Sequence, residues 1–428
     1  MNCRCFFIVL SLTAFALPNA LLRAENTDNW PCFRGPTRQG NVAGASLPES
    51  WGETENIRWN TEVPGEGHSS PIAWGDRIFL TTAHDGGVAC HVLCLNAETG
   101  AVLWDTEVFR QEVARKEGRN SYATSTPATD GKFVYAVFGS GSIAALDFEG
   151  AVKWTFREFT FYSRHGLGAS PVLEDGLLIL PWDWSQNPKD GEERVGWQIP
   201  WDKSFVFALD AETGKLKWKT GRGQSRISHI SPNVWTDPSG RKQLISGAGD
   251  VMQGFDLKSG ELLWTGESKG EGVVPSVLIA GDLAIGANGW GGSESVRAYR
   301  MTGAKGDVSA SHLAWEQKKN SPRIPSMVHV PPYVYAVTEG GLAWCAQENT
   351  GELVWRERLD GTFSASPIAT KDRIYVTSDA GETVVLATGA EMKVINRNQI
   401  GEPVQASPAV LGNRLLLRSN RHLFCIGL

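Results

Sequence analysis

Apolar residues along this chain come in short runs broken by polar turns, never in the wide stripes that a helix surface would need. In "SFVFALDAETGKLKW", residues 204–218, one run ends near Leu209, a turn is spelled Asp-Ala-Glu-Thr-Gly, and a second run ends on Trp218. Asp210 and Thr213 can bond the backbone of their own turn, and Gly214 can take a positive φ without steric cost. The unit therefore predicts a β-hairpin. Variants of it return as "CLNAETGAVLW" at 94–104, "ALDFEGAVKW" at 145–154, "GFDLKSGELLW" at 254–264 and "CAQENTGELVW" at 345–355. Upstream of the shorter repeats stands a second marker, typically Ser-Pro or Pro-Ser, followed by a β-rich run and commonly a Gly-Asp or Asp-Gly turn, as in "SSPIAWGDRIFLTT". Each period thus predicts four short strands.

The markers can be counted. The proline recurs at Pro71, Pro127, Pro171, Pro232, Pro275, Pro325, Pro367 and Pro408. The closing tryptophan recurs at Trp59, Trp104, Trp154, Trp218, Trp264, Trp315 and Trp355, with Val394 or Ile395 in its place in the seventh period. The two tallies agree only if "NIRWNTEV", residues 56–63, completes the last period, which has room for just three strands. Four-stranded periods of this length, closed by an N-terminal strand, predict an all-β fold: an eight-bladed β-propeller of four antiparallel strands per blade over residues 55–428. Closure removes the exposed edges that would invite aggregation. Tryptophans at one slot per blade are expected to be structural staples between neighbouring sheets.

These residues resemble a known family. The pattern A-x-D-x-x-T-G-x-x-x-W, matched in full by "ALDAETGKLKW", resembles the tryptophan-docking repeat of the pyrroloquinoline quinone (PQQ) enzymes and their relatives, over roughly residues 55–428. "WPCFRGPTRQG", "LPESWG", "NSYATSTPATDG" and "GTFSASPIA" are similar to segments of exported bacterial PQQ-like repeat proteins. The resemblance implies the fold. For the quinoprotein enzymes it also implies a stacked PQQ, a calcium held by carboxylate and amide oxygens, and an aspartate base. The same repeat builds non-enzymatic propellers, among them the lipoprotein that assists outer-membrane β-barrel assembly. This chain departs from the alcohol-oxidising enzymes in having no adjacent cysteines and in being shorter, and no motif places the aspartate or the metal ligands. PQQ with calcium rests on the resemblance alone.

Composition narrows the classes. Residues 1–24 hold Arg4, an apolar run of 12 residues from Phe6 to Leu17, and Ala20 and Ala24, the layout of a cleaved export signal. That run is short for a membrane span. Residues 25–54 are expected to be an extension packing on the propeller. Loss of Arg4 and Arg23 leaves 39 basic against 47 acidic residues, a net charge of −8, which argues against a nucleic-acid partner. The expected protein is exported to the periplasm or secreted, monomeric, and without a transmembrane segment. Cys94, Cys345 and Cys425 fall in the slot that Ala145 and Ala208 fill elsewhere, so they read as packing residues. Cys32 and Cys90 have no evident partner. No spacing suggests a zinc site, and the acids near residue 190 lack the calcium-loop register.

Function is expected on one face. The turns on one side are brief, the stretch after Thr302 being the main exception. "FRQEVARKEGRNSYAT", "WDWSQNPKDGEERVGWQIPWDK" and "NGWGGSES" are long and fall on the other side. Residues just before each proline marker should ring the axis there: His68, Tyr122 with Thr124, Arg164, His165, Arg226, His229, Glu271, Arg323, Phe363 and Gln405. Three arginines and three histidines at one funnel mouth predict an anionic or carboxylate-bearing ligand, since guanidinium groups grip two oxygens at once. Trp182, Trp184, Trp197 and Trp201, beside Asp183, Asp190, Glu192 and Glu193, form either a stacking platform or the small core of their own loop. Three function classes follow: a binding module for a small anionic, glycan or peptide ligand; a protein scaffold in the cell envelope; and a PQQ-dependent dehydrogenase.

Overall fold

The structure, a computed structural model, describes residues 29–42, 44–113, 116–118, 120–290 and 294–427; the expected export signal lies outside them. Eight antiparallel sheets follow one another along the chain, each with four strands in meander order. Blade one comprises Ile72–Trp74, Arg77–His84, Ala89–Asn96 and Val102–Arg110. Blade eight takes three strands from residues 409–426 and its outermost strand, Ile57–Glu62, from before blade one. That strand pairs antiparallel with His422–Ile426 in the register Trp59↔Cys425 and Glu62↔His422, so the ring closes as predicted. The chain is an eight-bladed β-propeller.

The hydrophobic pattern follows from position within the blade. Middle strands are covered by a neighbouring blade on both faces, and Phe133–Val137 is buried at every residue. Outer strands alternate, and in Leu216–Gly221 the apolar face is represented by buried Trp218. In every blade the ladder between third and outer strand carries a bulge beside the tryptophan slot, as between Ala208 and Leu209 opposite Trp218 and Leu216. A bulge re-aims a side chain. Here the indole leans onto the turn of the next blade. Trp104 Nε1 donates to Phe148 O at 2.8 Å, Trp154 to Ala211 O at 3.0 Å, Trp218 to Leu257 O at 3.2 Å, Trp315 to Glu348 O at 2.9 Å and Trp355 to Gly389 O at 3.1 Å. Beneath four of these rings lies the turn glycine. A Cβ on Gly260, whose φ is +73°, would stand 2.5 Å from the Trp218 ring. Glycine and tryptophan are thus two halves of one joint.

Trp264 departs from the pattern. It is 1 % exposed and donates to Gln243 Oε1 at 3.0 Å within its own blade. The insertion after Thr302 is the cause: Gly306–Asp307 adds a fifth, parallel strand beside Trp264 where the docking turn would otherwise lie. The cysteine slot holds as expected. Cys94, Cys345 and Cys425 face Trp104, Trp355 and Trp59 across the ladder, and all are free and buried. Burial pushes the thiols of Cys94 and Cys345 up to about 12 and that of Cys425 to about 11. Cys32 and Cys90 are also buried and free.

Residues 29–42 cross the end of the axial channel where the innermost strands finish. Asn29–Trp30 pairs antiparallel with the innermost strand of blade one. Pro31 O accepts from Thr129 N in blade two, Gln39 Oε1 accepts from Ile279 N in blade five, and Asn41 bridges to Ala369 in blade seven. Innermost strands expose one row of backbone polar groups, and this segment satisfies part of that row. Arg34, buried at the centre of the segment, donates from Nη2 to Gln39 O at 2.5 Å and Met327 O at 2.6 Å. Trp51 and Leu47 then join the core of blades one, seven and eight before the closing strand begins.

Candidate functional site

Each innermost strand starts from a serine or threonine, and these hydroxyls form a belt around the axis. Ser70 N donates to Thr126 Oγ1 at 2.9 Å, Thr126 N to Ser170 Oγ at 3.0 Å, and Ser170 N to Ser231 Oγ at 2.8 Å. On the far side Ser276 N donates to Ser326 Oγ, Ser326 N to Ser366 Oγ and Ser366 N to Ser407 Oγ, at 3.0, 3.0 and 2.9 Å. This explains why the proline follows the belt residue in some blades and precedes it in others: the hydroxyl is the fixed element, because it links one blade to the next. Each hydroxyl that accepts within the belt keeps its own proton to offer elsewhere.

Seven of the eight belt residues line an axial cavity of about 550 Å³. Phe33, carried in by the N-terminal segment, lines it from the sealed end, and the three long insertions supply its walls: Glu117 and Asn120 from the first, Trp197 from the second, Trp290 from the third. His68, Thr124, Arg164, His165, His229, Glu271 and Gln405 complete the mouth. The expectation that residues ahead of the proline markers approach the axis thus places these seven in one cavity.

Others go elsewhere. Arg226 is absent from the lining; Asp250 holds it through Nε and Nη2 at 2.6 to 3.1 Å and accepts from its backbone N at 2.8 Å. Arg323 turns outward over the Trp290 ring at 4.7 Å, in contact with Glu294 and with Glu339 at 3.5 Å. Even Arg164, which does line the cavity, is paired to Glu117 at 2.5 Å and lies 4.6 Å over Trp197. The guanidinium cluster is therefore a set of three separate ion pairs, and its charge is already met. Tyr122 packs against Gly87 and beneath Lys116, and Phe363 is buried in the core of blades six and seven.

Of the four tryptophans in the blade-three insertion, Trp197 alone lines the cavity. Trp182 is fully buried among Phe159, Phe161 and Phe205 and donates to Thr160 O at 3.0 Å. Trp184 and Trp201 lie 4.6 Å apart, their indoles donating to Lys203 O at 3.1 Å and Ser204 Oγ at 3.3 Å. Asp183, also buried, is paired to Arg222 at 2.7 Å and accepts from Ser228 Oγ at 2.7 Å.

The electrostatics of the mouth are unusual in one respect. His229 is 9 % exposed and both of its ring nitrogens are buried without a hydrogen-bond partner. Burial, reinforced by nearby His165, pushes its pKa down to about 3, so the imidazole is neutral, with one donor and one acceptor to offer. His165, 5.6 Å away, is lowered chiefly by burial, with Glu117 opposing and Arg164 adding to the shift. Gln405 Oε1 is likewise buried without a partner.

The belt, Phe33 and Trp290 were not among the residues expected at the site. The belt had a signal, since a hydroxyl stands beside every proline marker; Phe33 had none.

Comparison with known proteins bears on the fold. The sequence profile of the family described as outer membrane protein assembly factor BamB matches residues 50–156 and 293–392. The crystal structure of BamB from Moraxella catarrhalis superposes with a TM-score of 0.58 over 87% of this chain and 97% of that one, at 14% identity. Over the two stretches that the profile matches, just under half of its length, the chain is similar to that PQQ-like family, and it shares the propeller fold of BamB. A europium-containing methanol dehydrogenase shares the propeller's fold at a TM-score of 0.50 and 10% identity, over 92% of this chain and 90% of that chain. Polyvinylalcohol dehydrogenase from a Pseudomonas species is 23% identical over 343 residues, 75% of this propeller chain and 50% of the relative, so the chain spans only half of that protein's length.

The propeller's cavity is a poor match for PQQ with calcium. Calcium takes six to eight oxygen ligands, commonly with several carboxylates. The described cavity lining holds two carboxylates, Glu117 and Glu271, and the first is engaged by Arg164. Among the described residues no aspartate lines it, although Asp379, its Oδ1 buried without a partner, lines an adjoining pocket that shares His68, Ile324, Ser364 and Gln405.

Proposed function

We propose that this propeller is an exported binding module that takes a neutral, hydroxyl-rich ligand, a glycan fragment, into its axial cavity. One observation carries the reading: a cavity with a belt of hydroxyls and two indoles also holds polar atoms, on His229 and Gln405, that are buried and unpartnered. Such atoms are costly to leave unmet. Sugars present alternating apolar ring faces and hydroxyl edges, which suit Trp197 and Trp290 on the walls and the serine belt below. An anionic ligand is less well served, because each arginine already has its carboxylate. The similarity to an enzyme named for polyvinyl alcohol, a chain of hydroxyls, agrees with this ligand class. Export agrees with the BamB likeness, and among the described residues no helix is long and apolar enough to cross a membrane.

Titration of the purified protein with a panel of neutral oligosaccharides, followed by calorimetry and tryptophan fluorescence, tests the proposal. At least one should bind with micromolar to millimolar affinity and lose tenfold or more in Trp197→Ala. No heat and no fluorescence change across the panel would reject it.

A scaffold role has its own observation. Two residues before the tryptophan slot, outer strands expose an aliphatic side chain in seven blades, from Val102 at 45% and Leu216 at 43% to Val394 at 39%; in blade seven the register Val385↔Asn396 puts Asn396 in the slot where Val394 or Ile395 was expected. A belt of such residues around the ring would suit protein contact, and co-purification from the envelope with a defined partner, lost on Leu216→Ser/Leu262→Ser, would favour it.

A further inference from the structure

Away from the axis, three strands of blade one bring His84, His91 and Asp105 together on one side of the sheet. The register makes this unavoidable: Thr82 faces His91, His84 faces Ala89, His91 faces Glu107 and Leu93 faces Asp105, so all four of His84, His91, Asp105 and Glu107 share a face. One ring nitrogen from each histidine and one oxygen of Asp105 all lie within 4.8 Å of one another. The two imidazoles sit 4.2 Å apart, His91 Nδ1 is 2.7 Å from Asp105 Oδ1, and His91 Nε2 is 3.8 Å from Glu107 Oε2.

From this geometry we infer a second site, for a divalent transition metal of the zinc class, ligated by His84, His91 and Asp105. Two imidazoles and a carboxylate are a donor set that zinc takes in tetrahedral geometry, with bonds of about 2.0 to 2.2 Å, leaving one position for water or for Glu107. An independent observation points the same way. His84 Nε2 is buried without a hydrogen-bond partner, although its ring lies against a second histidine and close to a carboxylate. A buried imidazole nitrogen in that company is placed to ligate a cation. The sequence hides the site because its ligands come from three strands and no short spacing joins them. His84 also lies where Gly65, in the connector from the closing strand, passes within van der Waals reach, and Glu66 bridges to Ala83 next door. A metal there would pin the outer strands of blade one beside the ring's closure.

The test uses the full exported chain without a histidine tag, stripped with chelator and titrated with zinc ions alone by calorimetry, with metal content checked by mass spectrometry. The expected result is one zinc per chain, a thermal midpoint that rises with zinc, and at least tenfold weaker binding in His84→Ala/His91→Ala. A His165→Ala/His229→Ala variant should keep the site. Failure of the wild-type protein to bind zinc, retention of full affinity in the blade-one variant, or loss of the site in the axial variant would each overturn the inference. Should the blade-one variant fail to fold, cobalt ions added to wild-type protein decide: strong visible bands of four-coordinate cobalt support the site, and their absence refutes it.

Discussion

Trp218→Ala removes one of the indoles that join neighbouring blades, and its cost can be worked from the structure. The residue is 9 % exposed, so the substitution gives up most of the roughly 200 Å² that a tryptophan buries. At ~25 cal/mol per Å² that is about 5 kcal/mol as an upper bound. Loss of the indole donor leaves Leu257 O to find water, a further ~1 kcal/mol, while partial collapse of the void gives some back. The expected destabilisation is about 4 kcal/mol. Trp218→Phe keeps much of the area and loses the donor, so it should cost about half as much. Gly260→Ala attacks the same joint from the other side, by a Cβ 2.5 Å from the indole and a φ of +73°. Gly221→Ala, with open space around its Cβ, is the neutral control in the same blade. Urea denaturation followed by circular dichroism gives the ranking. If Trp218→Ala costs under 1 kcal/mol, or Gly260→Ala behaves like Gly221→Ala, the joint is not what holds adjacent blades together.

Three further outcomes are expected. His229 is depressed to about 3 in the folded protein against about 6.5 unfolded, so the unfolded chain binds more protons below pH 6.5 and stability should fall as pH drops through that window, by roughly 1.4 kcal/mol per pH unit; His229→Gln should flatten that slope between pH 6.5 and 5 in denaturation curves. Asp183→Ala strands the buried Arg222 guanidinium and should cost about 3 to 5 kcal/mol, measured by denaturant midpoint. Arg226→Gln, whose guanidinium is held by Asp250 outside the cavity lining, should leave affinity for any axial ligand within twofold by calorimetry.

What could be read from the sequence was whatever repeats. The proline and tryptophan slots recur because every blade solves the same packing problem, and the tally from Pro71 to Pro408 therefore yields both the number of blades and the strand borrowed from residues 56–63. Trp264 shares the slot but not the joint, since a local insertion reroutes its surroundings and no periodic signal records that. The mouth was legible in part. Position ahead of a marker brings His68, Arg164, His165 and His229 to the axis, yet it says nothing of the neighbour that claims a charge. Arg226 is taken by Asp250, 24 residues away, and Arg323 by Glu294 and Glu339. Phe33 enters from a segment outside the repeat, so no blade alignment can point to it.

Pairing residues 57–62 with 422–426 has a kinetic consequence. This contact spans more than 350 positions, far beyond the local hairpins that can assemble within microseconds, and the entropy of bringing such distant stretches together opposes it until most of the interior already exists. Individual wedges can form as the polypeptide emerges, but the toroid shuts last, and a chain arrested short of residue 422 would carry an open edge ready to capture a stray strand.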